Sequence, residues 1–289
     1  MKYLQLLRPK QWLKNIYVLI PIVFSGDVGF EQVMISLKMF LLFILASSCV
    51  YIINDIKDIE YDKKHPLKRH RPIAQGDISI NNALILLGLL FIFLLFLINF
   101  FNITLIGTGL LALYLSLNLI YSFGLKNIPL LELAILTSGF VIRLLAGSLE
   151  TLIPLSPWIM VCAGLLSLML AVGKRRNELK YQSDINVLSR VSLKGYNSEF
   201  LDQVNSILAS ITIVSYLLYC VSLYSLSSAG PYILWTSPVV VFSIIRYLQL
   251  VSIENKGEDP TAMLIHDNVS IGLFLFWFVL INIVMYFYY

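Results

Sequence analysis

Charge is what this chain of 289 residues has least of. Asp, Glu, Lys and Arg make up 13% of it, against about 25% in soluble domains, which excludes an ordinary water-soluble globule. Cysteine is scarce too. Cys49, Cys162 and Cys220 all fall inside apolar stretches with no CxxC or Cys/His spacing, so neither a disulfide framework nor a zinc site is indicated and packing is their expected role. The opening stretch MKYLQLLRPKQWLKN has basic residues and Trp12 but no small-residue cleavage site; it reads as an amphipathic helix in the membrane interface, not as a signal peptide. Long linkers are missing as well. Residues 1–289 are therefore expected to form one polytopic membrane domain, with cytoplasmic loops at about 54–82, 174–205 and 249–268.

Hydrophobic residues are what the chain has in abundance, 58% of the total, with a mean hydropathy of +0.81. Runs long enough to cross a bilayer, roughly 17–25 residues, lie near 16–30, 33–53, 83–100, 103–122, 130–149, 156–173, 206–226, 231–250 and 270–288. The expected fold is an all-α membrane protein of nine transmembrane helices, the first interrupted by Pro21 and Gly26. An odd number of spans puts the chain ends on opposite sides. Of the 21 Lys and Arg residues, 19 fall on one face, while Lys38 falls outside and Arg143 within a span. The positive-inside rule makes the basic face cytoplasmic, with the N-terminus and long loops there and the C-terminus outside. The other face has short loops whose acids are mainly Asp27, Glu31 and Glu150.

The densest chemistry sits where the second span ends. NDIKDIEYD, Asn54 to Asp62, places Asp55, Asp58 and Asp62 at i, i+3 and i+7, a stripe of about 10 Å along one helix face. Acids at a helix C-terminus face an unfavourable macrodipole, and that invites a cation. The alternative is a solvated helix end whose acids pair with Lys57, Lys63 and Lys64. Directly behind, KKHPLKRHRPIAQG crowds Lys63, Lys64, Lys68, Arg69 and Arg71 together. Pro66 and Pro72 stiffen the stretch, which favours a shaped phosphate-binding loop over an electrostatic anchor to lipid headgroups. His65 reads as a turn residue. Oxygen donors for Mg²⁺ beside bases for phosphate point to a phosphorylated substrate held through the metal.

A second charged loop follows the sixth span with Lys174, Arg175, Arg176, Asn177, Glu178, Lys180 and Asp184. Lys174 and Glu178 at i, i+4 suit a surface pair. The competing reading is a second half-site, with the bases on phosphate oxygens and Glu178 or Asp184 assisting a metal. In the fifth span, Glu132 and Arg143 are eleven positions apart on nearly one face, which suits a structural ion pair or a snorkelling arginine or else a contact in a polar interior. Asn118, Tyr121, Ser122 and Lys126 close the fourth span and are expected to line a pocket. A third loop, with Glu254, Glu258, Asp259, His266 and Asp267, reads as a lid.

NDIKDIEYD followed by HPLKRHRPIAQG resembles the UbiA superfamily of intramembrane prenyltransferases, whose first motif is NDxxDxxxD, and the likeness covers nearly the whole chain. It implies nine transmembrane helices around a central cavity, with Asp55, Asp58 and Asp62 holding Mg²⁺. RPKQWLKN, HPLKRHRPIA, FVIRLLAG and AVGKRRNEL look most like the superfamily's decaprenyl-phosphate phosphoribosyltransferase branch. The typical prenyltransferase has a second, DxxxD-type acidic motif after span 6, where this chain has KRRNELKYQSD. Bases in that place suit a more heavily phosphorylated substrate pair.

The resemblance thus implies transfer of a 5-phosphoribosyl group from phosphoribosyl diphosphate to a polyprenyl phosphate, for cell-envelope glycan synthesis at a bacterial inner membrane. Asn54 would assist the three aspartates. Lys68, Arg69 and Arg71 would neutralise diphosphate oxygens, with Lys14, Tyr121, Lys126, Arg143, Lys174, Arg175, Arg176 and Glu178 as further substrate contacts. Self-association is left open and no nucleic-acid partner is expected. The alternatives are transfer of a polyprenyl chain from its diphosphate to an aromatic acceptor, and lipid transport. Transport calls for polar residues and broken helices near the midplane, whereas most of the charge here gathers on one face.

Overall fold

The structure, a computed structural model, describes residues 2–25, 28–65, 68–185, 191–224, 230–254, 263–264 and 266–288. All regular structure among them is helical, as the hydrophobic patterning predicts. Two compact bodies divide the chain, one built mainly of Met1–Ile22 and Gly29–Pro154, the other mainly of Leu155–Ile185 and Ser192–Tyr289.

The first body opens with α1 (Lys2–Leu6) and a tight three-residue-per-turn helix, Pro9–Leu19, that leads into the short α2 (Ile20–Val23). Then come α3 (Phe30–Lys57), α4 (Ile59–Lys64), α5 (Ile80–Phe100), α6 (Leu105–Ser122) and α7 (Leu131–Thr151). The 21 residues of α5 reach about 31 Å, the thickness of a hydrocarbon core. Its Ile85, Leu89, Ile92, Phe96 and Phe100 point outward, as lipid contact requires. The opposite side of α5 packs Leu94 and Leu97 with Met39, Leu42, Phe43 and Ala46 of α3, Leu111 and Tyr114 of α6, and Ile142 and Ala146 of α7. Between apolar helices in lipid, close packing supplies the stability.

The second body holds α8 (Pro157–Ile185), α9 (Ser198–Tyr224), α10 (Gly230–Ile233), α11 (Ser237–Gln249) and α12 (Asn268–Tyr288). Tyr216 of α9 shares a 2.6 Å hydrogen bond with Thr236 and accepts one from Trp277 Nε1 at 2.9 Å, so polar groups at membrane depth satisfy one another. Tyr247 of α11 donates to the Met169 carbonyl at 2.9 Å. After α11 the chain widens into a π turn, Leu250–Glu254.

Seven helices among the described residues are long and apolar enough to cross a membrane, and the apolar stretch Asn268–Val284 is shorter. This is a multi-pass membrane protein. The expected first span, 16–30, is built differently from the rest. Its Pro21 lacks an amide donor, and the tight helix before it packs one side on α3 and α7 and leaves Leu13 and Ile16 exposed on the other. At the α5–α6 turn Asn102 takes a left-handed conformation, φ 53°, and Thr104 caps α6. Glu150 of α7 accepts from the Thr104 amide at 2.9 Å and hydroxyl at 2.7 Å, so this acid is structural. The three cysteines are free, with Cys49 and Cys220 buried.

Candidate active site

Helix α3 carries its apolar face down to Asp55 and stops at Asp58, whose φ and ψ of −99° and 11° break the helix before α4 restarts at Ile59. The aspartates therefore do not lie on one unbroken stripe, as their spacing predicts. After the break Asp62 lies in the first turn of the six-residue α4.

Asp55 and Asp62 are almost wholly buried, at 2% and 1% exposure, and both meet one guanidinium. Arg71 Nη1 donates to Asp62 Oδ2 at 2.6 Å and to Asp55 Oδ1 at 3.1 Å. Arg8 pairs with the same Asp55 oxygen, and Lys126 pairs with Asp58. Burial raises the Asp62 carboxyl above its ordinary range, and Arg71 draws it back. The Ser122 hydroxyl reaches Asn54 Oδ1, so the end of α6 packs beside the motif. Pairing with sequence neighbours is not what holds the acids. Lys63 goes to Glu60 at 2.9 Å, and Lys57 lies 4.4 Å from the centre of the Phe123 ring.

The basic loop is shaped by its apolar residues. Pro72 is buried, and Ile73 and Ile78 pack with Leu6, Ile52 and Ala83. The Ile78 amide closes the turn onto the Pro72 carbonyl at 3.1 Å, and Gly76 supplies the left-handed residue, φ 84°. Arg71 sits at the root of this turn and so is held over the acids. His65 is a turn residue that accepts from the Lys68 amide at 3.4 Å. Lys68 lies over the Tyr61 ring at 5.2 Å, and Arg69 is exposed beside His70. Tyr121 is buried and Lys14 half-buried. Pro66 lies outside the described residues.

Arg8 is the site residue that the sequence reading missed, counting it only as a basic residue of the inner face. Its backbone is left-handed, φ 54° and ψ 64°, a conformation that costs about 1–3 kcal/mol in a non-glycine residue. The reversal it makes turns the guanidinium onto Asp55 and 5.0 Å from the centre of the Tyr51 ring. A lone arginine before proline in an otherwise amphipathic stretch was the available signal.

Arg143 is buried at 4% exposure, but its partners are neutral. It donates to Asn15 Oδ1 at 2.7 Å, the Gly139 carbonyl at 2.8 Å and the Tyr114 hydroxyl at 2.8 Å, and lies 4.5 Å from the centre of the Tyr114 ring. Of the alternatives, the ion pair with Glu132 is not formed. Eleven positions along one helix separate two residues by about 16 Å, beyond their joint reach even on a shared face.

In the second body, Arg175 Nη1 donates to Glu178 at 2.6 Å. Arg176 holds Asp202 at 2.9 and 3.3 Å and the carbonyls of Val251 and Ser252 at 2.7 and 3.3 Å. It thus ties α8 to α9 and to the carbonyls of the π turn. Lys174 is half-buried. A groove of about 710 Å³ at the start of α9 is lined by Ser198, Glu199, Asp202, Gln203, Ser206 and Ile207, a lining without bases for phosphate. Asp267 accepts from Arg246 at 2.6 and 3.1 Å and from the Ser270 amide at 2.8 Å, so this end of the third loop anchors α12. Asp27, Glu258, Asp259 and the side chain of Asp184 lie outside the described residues.

Among the described residues, no three Asp, Glu, His or Cys side chains converge as a ready metal centre. The donors nevertheless fit a hard cation. They are oxygen-only, and two buried carboxylates already share one positively charged nitrogen.

A multi-pass helical protein with NDxxDxxxD at a helix break carries the motif on which the resemblance to intramembrane prenyltransferases rests. The chain resembles a UbiA homologue from Archaeoglobus fulgidus, solved bound to DMAPP and Mg²⁺, with a TM-score of 0.70 and 17% identity over 98% of this chain and 100% of the other. Another UbiA homologue, from Aeropyrum pernix, gives 0.64 and 13% over 99% and 98%. The chain matches the UbiA prenyltransferase family over residues 18–279 and belongs to it. It is 34% identical to the decaprenyl-phosphate phosphoribosyltransferase of Mycolicibacterium smegmatis over 97% of this chain and 91% of that one. With the enzyme of the same name from Corynebacterium glutamicum the identity is 33% over 94% and 82%.

Proposed function

We propose that this protein transfers the 5-phosphoribosyl group of phosphoribosyl diphosphate to a polyprenyl phosphate and releases diphosphate. The observation that carries the reading is that each motif aspartate faces a basic side chain from elsewhere in the chain, Arg8, Arg71 or Lys126. The near-full-length likeness to decaprenyl-phosphate phosphoribosyltransferases selects the substrates, and KRRNELKYQSD in place of a second acidic motif agrees with them. The site faces the cytoplasm of a bacterial inner membrane, on the side where the bases gather.

Asp55, Asp58 and Asp62, with the Asn54 amide oxygen, would hold Mg²⁺. Bound there, it would neutralise charge developing on the leaving diphosphate. Arg8, Arg71 and Lys126 then turn from the carboxylates to phosphate oxygens, and Lys68 and Arg69 add charge at the open side. As the ribose C1–O bond to diphosphate breaks, the electron pair leaves with diphosphate, and a phosphate oxygen of the lipid forms the new C1–O bond. That oxygen is already ionised at neutral pH, so no strong general base is needed. Positioning and charge compensation do the catalysis.

The test is incubation of the purified protein with Mg²⁺, labelled phosphoribosyl diphosphate and polyprenyl phosphate. Label is expected in the organic phase. Label that stays in water, together with product from prenyl diphosphate and an aromatic acid, would replace this reading with prenyl transfer.

A further inference from the structure

Arg143 lies deep in α7 as a buried cation that no carboxylate contacts among the described residues. What it holds is Asn15, in the middle of the tight helix Pro9–Leu19, with Tyr114 and Phe140 rings around its guanidinium. The grip is doubled from α3, where Ser47 accepts from Asn15 Nδ2 at 3.3 Å. Nearer the site, Trp12 Nε1 donates to Ser48 at 3.2 Å. One turn along α7 from Arg143, Gly147 admits the Val18 carbonyl so closely that a Cβ there would collide with its backbone atoms. Backbone cannot move aside as a flexible side chain can. The same segment begins at Arg8, whose left-handed backbone sets its guanidinium on Asp55.

We propose that Arg143 and Gly147 are positioning residues that act through Arg8: they seat the Pro9–Leu19 segment between α3 and α7, and the seat places the Arg8 guanidinium in the aspartate cluster. The cation is suited to this task because neutral dipoles and ring faces hold it in the protein interior without a counter-acid that would compete with Asn15 for the guanidinium. A three-residue-per-turn helix is stretched, about 2.0 Å per residue, so the seven residues from Asn15 to Arg8 carry the anchor about 14 Å toward the acids. This rests on the proposed reaction only in the choice of kinetic readout.

The experiment uses the full chain in detergent, as Gly147→Ala, Arg143→Gln and Arg8→Gln, singly and with each of the first two combined with Arg8→Gln. Amide hydrogen exchange over residues 8–19 is expected to rise in the Gly147 and Arg143 variants while α5 and α9 exchange as in the wild type. Unchanged exchange over 8–19 overturns the seat. Each single variant is expected to raise the KM for phosphoribosyl diphosphate about as much as Arg8→Gln does, roughly 10-fold for loss of a charged hydrogen bond, with a smaller change in kcat. In the double variants the second substitution is expected to add little, because both act on one guanidinium. Fully additive effects would show that Arg143 and Gly147 do not act through Arg8. A wild-type protein that does not consume phosphoribosyl diphosphate sinks the proposed reaction, and the exchange arm still decides the seat.

Discussion

The two charged clusters, around Asp55 in the first body and around Arg176 in the second, look alike in sequence and are built for opposite ends. In the first, the cations are reachable: the Arg8, Arg71 and Lys126 side chains are 23%, 25% and 17% exposed, and each touches an acid. In the second, Arg175 and Arg176 are 1% and 9% exposed, and Arg176 has its donors on Asp202 and two backbone carbonyls. A guanidinium with an exposed edge can be reached by a ligand, whereas a buried guanidinium shared among several acceptors is a tie between helices. Access to the cation, not the density of charge, separates a candidate site from a brace.

The comparison breaks most visibly at the acids. Asp55→Asn or Asp58→Asn is expected to lower turnover by about 10²–10³-fold, the scale of losing one electrostatic stabiliser, with helical content by circular dichroism unchanged; full activity in either removes the acids from the chemistry. Next come the two arginines set against each other. Arg71→Gln loses charged hydrogen bonds of about 1.5–3 kcal/mol, seen in kcat/KM. Arg176→Gln removes charged hydrogen bonds to Asp202 and the Val251 carbonyl, about 1.5–3 kcal/mol each, seen as a lower Tm, with kcat/KM of the folded fraction changing less than in Arg71→Gln. If Arg176→Gln costs more activity than Arg71→Gln, the roles assigned to the two clusters are reversed.

The smallest effect concerns Asp267, whose carboxyl Arg246 and Ser270 hold below the ordinary range. Its folded value is depressed, so its contribution to stability is present above the unfolded value and is lost as pH falls toward the folded one. The Tm difference between wild type and Asp267→Asn is therefore expected to shrink as pH drops below about 4. A difference that stays constant to lower pH would leave the Arg246 pair without a stabilising role.

The spans and the acid motif were legible because hydropathy and spacing are local properties of the chain. The NDxxDxxxD signature and the polar end of α6 single out Asp55, Asp58, Asp62, Ser122 and Lys126 as candidates from the sequence itself. The roles of single cations were not legible. Arg8 reaches Asp55 across 47 positions, and only the strained turn at its own backbone explains how. Arg143 and Arg176 are arginines in or just past apolar helices, and the sequence cannot say whether an acid, a carbonyl or an asparagine waits opposite. The break at Asp58 also escaped notice, since the residues around it form helix well on both sides.

The most direct measurement is Mn²⁺ binding to the purified protein by electron paramagnetic resonance, with and without phosphoribosyl diphosphate, in wild type and Asp55→Asn. If the acids keep Arg8, Arg71 and Lys126 as partners until phosphate oxygens draw them away, wild type binds Mn²⁺ weakly alone and tightly with the diphosphate, and Asp55→Asn loses the tight binding. Equal Mn²⁺ binding by Asp55→Asn in the presence of the diphosphate would contradict the account.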